Sequence, residues 1–532
     1  MDRGTEVQEA QGQEEEDLGN NQHKDLSSTI LKFSLLATGI AGVVAEYILA
    51  TLASYFLPDA TVQWTMIISV MLFSMGIGSR LSRFLIHDLL DKFVWIEIAL
   101  SILISFTASI VFVAAGRTVY YGIIIYALSI CIGLLIGMEI PLVTRINEKY
   151  EELRLNIASV MSWDYIGSLI GGVFFVFIGI PYLGMTYTPY ALGLVNLLVA
   201  SIIIFKLSNS LKSKNTLRFA FLATFILIIS GCVFSEKIIL FGEQKRYKDK
   251  IIHIEQSRYQ KIVITESKGY YWLFINGNQQ LSSFDEWMYH EPLVQIPLAL
   301  SNQKQKILIM GGGDGCAVRE LLKHPEIEEI TLVDLDPKMT ILASTHPALL
   351  SMNQHSLSDK KVTIIHQDAF IYARESNKKY DLVIIDLPDP RTIDINKLYT
   401  KNFYGYINDL LADDGIVITQ AGSPYFATKA FYCIEKTMQE TGFYTLPIHN
   451  QVITMGEWGW VIGSKILNKV GMKKKLHQTD FSKKNHKWLN NESVALLTSF
   501  GKPMVDTSGI KVNTLARPCL PNYYLKGNWD LY

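Results

Sequence analysis

Five aspartates follow apolar runs in the second half of the chain, and together they could bind a positive charge. They are Asp314, Asp334, Asp368, Asp386 and Asp389. If the runs are parallel strands, their carboxyl ends meet at one edge of a sheet, where such folds bind ligands. One or two of these aspartates could instead cap helices or turns. Five carboxylates along one edge would repel one another, so the pattern favours a cationic ligand.

A glycine-rich turn carries the first of these aspartates. The stretch from Met310 to Asp336 reads as strand end, glycine turn, helix, strand and acid, with Gly311 and Gly313 in the turn. Glycines let the backbone approach a ligand, and an acid about 20 positions later, here Asp334, is placed to accept hydrogen bonds from ribose hydroxyls. The same pattern fits a tight turn in any α/β domain, but it favours a nucleoside site.

Asp314 inside the turn indicates the charge of that nucleoside. In a methyltransferase-like fold, intact S-adenosylmethionine points a carboxylate and an ammonium towards this region, and a fixed aspartate would repel the carboxylate. A donor that ends in an ammonium alone would be attracted. The turn therefore suits a cationic nucleoside better than an anionic dinucleotide.

The strands that must position these residues alternate with helical patterns. Apolar runs at 307–310, 331–333, 362–366, 382–385 and 416–419 predict a mostly parallel sheet with helices on both faces. This predicts an α/β Rossmann-like (class I methyltransferase-like) domain over residues 283–465. Before it, β-type runs and turn signals predict a small antiparallel β-hairpin unit over 250–282. Residues 466–532 are predicted to form a basic loop and a C-terminal extension.

The first half of the chain has the pattern of a multi-pass α-helical membrane domain. Seven apolar stretches lie near residues 33–57, 61–79, 93–116, 119–143, 159–180, 187–206 and 218–235, each close to the roughly 20 residues that cross a bilayer. We therefore predict seven transmembrane helices over 29–240. Small residues such as Gly39, Gly78 and Gly167 would let these helices approach closely. Residues 1–28 are polar and acidic and predict a disordered tail.

Four acids lie within or at the ends of these spans: Glu46, Glu97, Glu139 and Asp164. An ionisable group at membrane depth is a functional candidate, here for a cationic solute. The alternative is a carboxylate paired with an arginine or a backbone group at a helix end. Both readings stay open for Glu46 and Glu139, whereas pairing is favoured for Glu97, near a span edge.

Charge and cysteine content exclude two other classes of site. The formal net charge is −1 and the basic residues form no broad face, which argues against a nucleic-acid partner. The five cysteines show no disulfide or metal-ligand spacing, so neither a disulfide framework nor a metal site is predicted.

Several short motifs lie in the second half. They are Tyr259-Gln260, Asp285-Glu286, Tyr289-His290-Glu291, Gly311-Gly312-Gly313-Asp314-Gly315, Val333-Asp334-Leu335-Asp336, Gln367-Asp368-Ala369, Asp386-Leu387-Pro388-Asp389-Pro390, Leu398-Tyr399-Thr400 and Gln420. These motifs resemble the polyamine aminopropyltransferase (spermidine synthase) family and occur in its order over about 200 residues. The apolar spans ahead of them and Gly456-Glu457-Trp458-Gly459 resemble the membrane-bound bacterial branch of that family.

The resemblance implies a role for each matching residue. Decarboxylated S-adenosylmethionine would be the co-substrate, without a bound cofactor, and putrescine or a related diamine the acceptor, giving spermidine and methylthioadenosine. The thioadenosine part would be held by Gln260, Asp334, Asp368 and Ala369, beside Gly311 and Gly313 of the turn. The channel for the aminopropyl group and the amine would be lined by Tyr289, His290 and Asp314. Asp386 would accept the proton, and Asp389 would hold the acceptor's other charged end. A homodimer or homotetramer is also implied.

Loop charges and chemistry suggest where the protein resides. Basic residues after the second, fourth and sixth spans place those loops and the N-terminus on the cytoplasmic side. A seventh crossing would put the second half outside, yet Lys237, Lys245 and Arg246 follow the last span. Because a nucleoside donor is available in the cytosol, we favour a cytosolic catalytic half anchored in the bilayer of the cell inner membrane.

Two departures from the family pattern and two other functions stay open. Arg391 replaces a usual glycine directly after Asp389-Pro390. After Pro447, Val452-Ile453-Thr454 occupy the place where many members carry a tyrosine for the amine. A methyltransferase on the same fold is one alternative, against which Asp314 argues. A non-enzymatic polyamine sensor or carrier that uses Glu46 and Glu139 is the other.

Overall fold

The computed structural model describes residues 3–57, 60–483, 485–501 and 507–529, and the side chains of residues 3–27 and 60 lie outside this description. The chain divides into two compact units, Met1–Lys248 and Asp249–Tyr532. The disordered tail predicted for residues 1–28 stays a prediction, because residues 1–2 and the side chains of residues 3–27 lie outside this description.

The first unit is a bundle of long apolar helices. They are α1 Arg3–Phe56, α2 Ala60–Leu81, α3 Leu89–Ala115, α4 Tyr121–Asn147, α5 Leu153–Phe174, α6 Gly184–Lys206 and α7 Lys214–Gln244. Among the described residues, six helical segments are long and apolar enough to cross a membrane. The predicted count of seven differs because the fifth and sixth spans join into one 54-residue segment, Leu153–Lys206.

That joined segment nevertheless turns back on itself. Its π-helical part, Phe175–Leu183, ends at Gly184, which adopts φ 60° and ψ −172°. Nine residues along the chain from Gly179, Thr188 donates its hydroxyl to the Gly179 carbonyl oxygen at 3.0 Å. A straight helix would place these residues about 13 Å apart, so the chain folds into a helical hairpin at Gly184.

Small residues set the packing of the bundle, as predicted. A Cβ on Gly39 would lie 2.2 Å from the Asp164 carbonyl oxygen, and one on Gly167 would lie 2.1 Å from the Leu36 carbonyl oxygen. A Cβ on Gly78 would approach a carbonyl oxygen of α4 equally closely. Glycine therefore allows α1 to contact α5, and α2 to contact α4, backbone to backbone.

Two acids lie in the interior of this bundle. Glu97 and Glu139 are both 0% exposed, and their carboxylate oxygens have no hydrogen-bond partner among the described residues. The expectation that Glu97 is paired at a span edge is therefore wrong. Glu97 sits more than two turns inside α3, too far from the helix end to reach the free backbone groups there.

The second unit contains two sheets. The first is antiparallel, in the order β1-β2-β3-β4, and consists of β1 Lys250–Gln256, β2 Lys261–Ser267, β3 Tyr270–Ile275 and β4 Asn278–Ser282. The second has the order β10-β11-β9-β8-β5-β6-β7. Its strands are β5 Lys306–Gly311, β6 Glu329–Asp334, β7 Val362–His366, β8 Tyr380–Asp386, β9 Leu411–Gly422, β10 Tyr444–Val452 and β11 Gly456–Ser464.

Helices cover both faces of the seven-stranded sheet, as the alternation of patterns predicted. Along β5, Ile307 and Ile309 belong to one buried core, while Leu308 and Met310 belong to the other. This alternation is what a strand buried on both faces requires. The helices are α8 Trp287–Leu300, α9 Cys316–Leu322, α10 Pro337–Thr345, α11 Pro347–Asn353, α12 Ala369–Glu375, α13 Ile393–Asn396, α14 Lys401–Leu410, α15 Thr428–Gln439, α16 Lys469–Gln478, α17 Asn491–Leu497 and α18 Leu520–Leu525.

The sheet is mixed rather than purely parallel. Strands β9, β8, β5, β6 and β7 run parallel, whereas β11 pairs antiparallel with both β9 and β10. The sequence patterns predicted neither β10 nor β11, nor the polar strand β4. Helix α16 lies within the stretch predicted as a basic loop.

Candidate active site

The carboxyl ends of four neighbouring parallel strands form one edge of the second unit. Strands β8, β5, β6 and β7 are adjacent, with Gly311 opposite Asp386 and Asp334 opposite His366. Each of these strands ends at, or just before, one of the predicted aspartates. The sheet therefore brings the acid-bearing strand ends to a shared edge, where α/β folds bind their ligands.

Glycine in the turn after β5 allows the strand ends to approach closely. Gly311 has φ 79°, and a Cβ there would lie 2.0 Å from the Asp386 carbonyl oxygen. A Cβ on Gly313 would lie 2.5 Å from Asp334 Oδ2. The two predicted glycines thus let Asp386 and Asp334 sit directly against the turn that carries Asp314.

Four of the predicted residues meet at the centre of this edge. Tyr289, on α8, donates its hydroxyl to Asp386 Oδ1 at 2.6 Å. One ring nitrogen of His290 and one carboxylate oxygen each of Asp314 and Asp386 all lie within 4.8 Å of one another. Asp314 also accepts a hydrogen bond from the backbone N–H of Cys316 at 2.8 Å, which fixes its carboxylate. We call Tyr289, His290, Asp314 and Asp386 the central cluster.

A buried ion pair that was not apparent from the sequence supports His290. The His290 Nδ1 lies 2.9 Å from Glu286 Oε2 and 3.0 Å from the Glu286 carbonyl oxygen, both acceptors, so it donates. Glu286 in turn receives two hydrogen bonds from Arg319, at 2.7 and 2.9 Å. Burial raises the pKa of Glu286, but His290 and Arg319 outweigh it and lower the pKa to about 2.

The charge state of His290 follows from these neighbours. Burial lowers the pKa of His290, but the hydrogen bond to Glu286 and the charges of Asp314, Glu286 and Asp386 raise it to about 9. A protonated imidazole has no lone pair with which to ligate a metal. At neutral pH it instead places one positive charge beside Asp314, whose Oδ1 lies 3.9 Å from His290 Nε2.

Two carboxyls of the edge become weaker acids in this environment. Desolvation raises the pKa of Asp386 to about 6, with His290 opposing and Asp314 adding to the shift. Desolvation likewise raises the pKa of Asp334 to about 6. A carboxylate with a pKa near 6 is ionised at neutral pH, yet binds a proton more readily than an ordinary aspartate, as a general base requires.

Asp389 lies in a second group of polar side chains next to the central cluster. It accepts a hydrogen bond from the Tyr524 hydroxyl at 2.6 Å, and Arg391 Nη2 lies 3.4 Å from the same oxygen. Gln420 donates to the Tyr399 hydroxyl at 2.6 Å and to the Leu387 carbonyl at 2.7 Å, which braces the loop after β8. Tyr524 has no role among the sequence-based predictions.

The remaining predicted residues lie outside the central cluster. Asp368 caps the N-terminus of α12, where it accepts a hydrogen bond from Phe370 N–H at 2.8 Å and forms an ion pair with Lys397 at 2.6 Å. Ala369 follows it and is buried. Gln260 lies in the β1–β2 turn, where its N–H donates to Ser257 Oγ at 2.9 Å. That turn is joined to α10, just after Asp334, by Lys338 Nζ and the Gln256 carbonyl oxygen at 3.1 Å. The nucleoside roles of Asp368, Ala369 and Gln260 stay predictions.

Removing the buried arginine is expected to destabilise the second unit strongly. In Arg319→Met, the Glu286 charge would remain buried after losing its bidentate partner, which typically costs about 3–5 kcal/mol of folding free energy. Urea unfolding of the full chain, followed by tryptophan fluorescence, measures this loss. Lys401→Met is the control, since its pair with Glu440 is exposed and 3.7 Å long and contributes little. Equal midpoints for the two variants would contradict the assignment.

The chain is similar to known proteins over most of its length. Residues 286–475 match the family model described as the spermine/spermidine synthase domain. "Polyamine aminopropyltransferase 2" of Aquifex aeolicus is 42% identical over 501 residues, covering 94% of this chain and 99% of that protein. "Polyamine aminopropyltransferase" of Leptospira interrogans is 37% identical, covering 93% and 98%. A crystal structure of spermidine synthase with the transition-state analogue AdoDATO aligns with a TM-score of 0.43 and 26% identity, covering 47% of this chain and 86% of that one.

Proposed function

Because the chain belongs to the polyamine aminopropyltransferase family, we propose that it transfers the aminopropyl group of decarboxylated S-adenosylmethionine to putrescine. The products are spermidine and methylthioadenosine. The donor is a co-substrate that enters and leaves in each turnover, so the reaction needs no bound cofactor. The family relationship agrees with the resemblance found in the sequence motifs.

The observation that carries this proposal is the central cluster. Asp314 and Asp386 place two carboxylates within reach of a ligand at the same sheet edge, and Tyr289 holds Asp386 by a 2.6 Å hydrogen bond. A sulfonium donor and an amine acceptor are both cationic, so both are attracted to this edge. The protonated His290 offsets part of the negative charge of Asp314 and Asp386 before donor and acceptor bind.

Asp386 prepares the amine for attack. A primary amine is protonated at neutral pH and has no lone pair, so Asp386 first accepts a proton from the ammonium group. The freed nitrogen then forms a bond to the methylene carbon next to the sulfonium, while the carbon–sulfur bond breaks and its electron pair stays on sulfur. The leaving group is a neutral thioether, so no oxyanion has to be stabilised.

Alignment supplies much of the remaining acceleration. Nitrogen, carbon and sulfur must lie in line for direct displacement, and holding two reactants in that geometry can contribute several orders of magnitude. Tyr289 fixes the Asp386 carboxylate, and the glycine turn that carries Asp314 packs directly against Asp386 and Asp334. The proposed mechanism passes through no covalent enzyme intermediate.

Tyr524 is expected to position Asp389 for the distal ammonium of the acceptor. In Tyr524→Phe the 2.6 Å hydrogen bond to Asp389 is lost. The KM for putrescine is expected to rise about fivefold to tenfold, while kcat stays within about twofold of the wild-type value. The reason is that the charge-assisted hydrogen bond contributes to acceptor binding rather than to the chemical step. Steady-state kinetics at saturating donor measure both constants. Tyr523→Phe, one residue earlier, is the matched control and should leave both constants unchanged; an equal effect there would exclude the positioning role.

The helical unit is proposed to anchor the enzyme in the cell inner membrane as a multi-pass domain, with the catalytic unit in the cytosol. Six helical segments have the required length and apolar character, and large apolar side chains such as Phe73, Leu169 and Val233 are exposed on them. Lipid would cover such surfaces. Protease treatment of intact cells and of inverted membrane vesicles tests the side. Cleavage of the second unit only in inverted vesicles supports a cytosolic position, and cleavage in intact cells contradicts it.

A product assay tests the choice of acceptor. Purified full-length protein is incubated with decarboxylated S-adenosylmethionine and, separately, putrescine, cadaverine, 1,3-diaminopropane or spermidine. Putrescine is expected to give the highest kcat/KM and to yield spermidine with one methylthioadenosine per turnover. A higher kcat/KM with another amine would overturn the putrescine assignment and leave the enzyme class intact. The family-based expectation of a homodimer or homotetramer is tested by light scattering on the same sample.

A further inference from the structure

Five helices of the first unit bring side-chain oxygen atoms to the same height along the axis of the helix bundle, in its interior. We call this height the acidic level. Glu97 on α3 lies close enough to Glu139 on α4 to interact with it electrostatically, and Glu139 interacts in the same way with Asp164 on α5. The Thr38 hydroxyl on α1 lies against Glu139. Thr38 is next to Gly39, whose Cβ position would lie 2.2 Å from the Asp164 carbonyl oxygen, so Asp164 and Thr38 share this level.

Helix α6 adds an amide oxygen to the same level. Helices α3 and α6 are antiparallel, because Asp91 near the start of α3 accepts hydrogen bonds from Lys212 and Ser213, which follow α6. A Cβ on Gly193 would lie 2.6 Å from the Ser101 carbonyl oxygen. Asn196, one turn further along α6, is therefore level with the turn of α3 between Glu97 and Ser101.

These oxygens have no partner that balances their charge. Glu97, Glu139 and Asn196 are at most 2% exposed, and both carboxylate oxygens of each glutamate and Asn196 Oδ1 lack a hydrogen-bond partner among the described residues. The ion pairs seen in the described part of this unit are Lys32–Glu151, Lys212–Asp88 and Arg246–Glu243, and none includes these acids. Two carboxylates without counter-charge in an apolar interior are strongly unfavourable, so the level must take up positive charge.

We propose that this level, formed by Thr38, Glu97, Glu139, Asp164 and Asn196, is a binding site for a protonated amine. It is separate from the catalytic edge, by which we mean the strand ends of the second unit that carry the central cluster. Its unpartnered atoms are oxygen acceptors, and an ammonium group offers three N–H donors and no acceptor. The identity of the amine, a diamine or polyamine, rests on the proposed function. The existence of the site rests on the bundle alone. The helical unit would then handle the same class of cation that the second unit converts.

Chemical labelling of the two glutamates tests the site directly. Full-length protein in lipid nanodiscs is treated with dicyclohexylcarbodiimide, which modifies carboxyl groups in apolar surroundings, and the labelled peptides are quantified by mass spectrometry. Putrescine at ten times its Kd is expected to reduce labelling of Glu139 about tenfold, in line with the fraction of sites left empty. Sodium chloride at the same ionic strength should give no protection. Glu97→Gln should abolish the protection of Glu139 by putrescine. The control is Glu148→Gln, which should leave this protection intact, because Glu148 is exposed and follows the end of α4, the helix that carries Glu139.

Three outcomes would overturn the inference of an amine site. Equal labelling with and without putrescine would mean that the level holds protons only, and equal protection by sodium chloride would mean an inorganic cation. The same experiment on Asp386→Asn separates the two proposals, because protection should persist there although transfer is lost. Loss of protection in that variant would assign the effect to the catalytic edge. Absence of aminopropyl transfer in the wild type, with protection retained, would overturn the proposed function but not this site.

Discussion

Asp386→Asn lowers kcat about 10³-fold and changes the Kd for decarboxylated S-adenosylmethionine less than about threefold, if Asp386 is the proton acceptor. Asparagine keeps the shape of the side chain and can still accept the hydrogen bond from Tyr289, which is 2.6 Å in the wild type. It cannot take a proton from the amine, so the nucleophile stays protonated. Single-turnover kinetics measure the chemical step, and calorimetry measures donor binding.

Asp394→Asn provides the control for this variant. Asp394 is an exposed aspartate of α13, eight residues after Asp386 in the same loop region. Its replacement changes one charge near the site without touching the central cluster, and both constants should stay at the wild-type values. If Asp386→Asn lost donor binding and turnover to the same extent, Asp386 would be a binding residue rather than the base.

The pH profile of the wild type is the second large effect. The active form of Asp386 is the carboxylate, and its pKa is raised to about 6 by desolvation. Activity is therefore present above this pKa and lost as pH falls through it, so kcat/KM for putrescine should fall about tenfold per pH unit below 6. Diamines are fully protonated throughout the acidic and neutral range, so this limb reports the enzyme. Rates between pH 4.5 and 8, at saturating donor, provide the measurement.

Two features of that profile distinguish Asp386 from other groups. Asp334 also has a pKa of about 6, so the limb would be steeper when the donor is limiting than when it is saturating. At saturating donor, the slope of the acidic limb should correspond to the binding of a single proton. A profile that is flat down to pH 5 would show that no carboxyl with a raised pKa takes part in catalysis.

Much of the catalytic edge could be predicted because its signals are local. Each of the aspartates follows an apolar run within one to four residues, and the rule that strand ends share an edge then places them together. The structure confirms this for Asp314 and Asp386, which meet at His290. Turn glycines and the order of motifs were likewise readable from the sequence.

The supports of the site could not be predicted, since they depend on contacts between distant segments. Arg319 reaches Glu286 across 33 positions, and Tyr524 reaches Asp389 across 135. Nothing in the spacing of these residues indicates the contact, and a lone arginine or tyrosine in an apolar stretch usually indicates only packing. Tyr524 contacts Asp389, whereas the place after Pro447 where a tyrosine was expected holds Val452-Ile453-Thr454.

The other differences also have physical causes. Strands β4 and β10 contain polar residues at consecutive positions, such as Asn278, Gln279 and Gln280, so the alternation that predicts a strand is lost. The helical hairpin at Gly184 has no polar loop, so the two spans it joins form one continuous apolar segment. Glu97 looked peripheral because its span was predicted to start at residue 93, whereas α3 begins at Leu89.

The central claim is that the acid edge is built for a cationic donor, and donor selectivity tests it most directly. Calorimetric titration of the full-length protein compares decarboxylated S-adenosylmethionine with intact S-adenosylmethionine, which differs by one carboxylate. Repulsion of that carboxylate by Asp314 predicts weaker binding of the intact donor by at least about tenfold, which corresponds to about 1.4 kcal/mol. In Asp314→Asn the difference should shrink. Equal affinity of the wild type for the two donors would contradict the account.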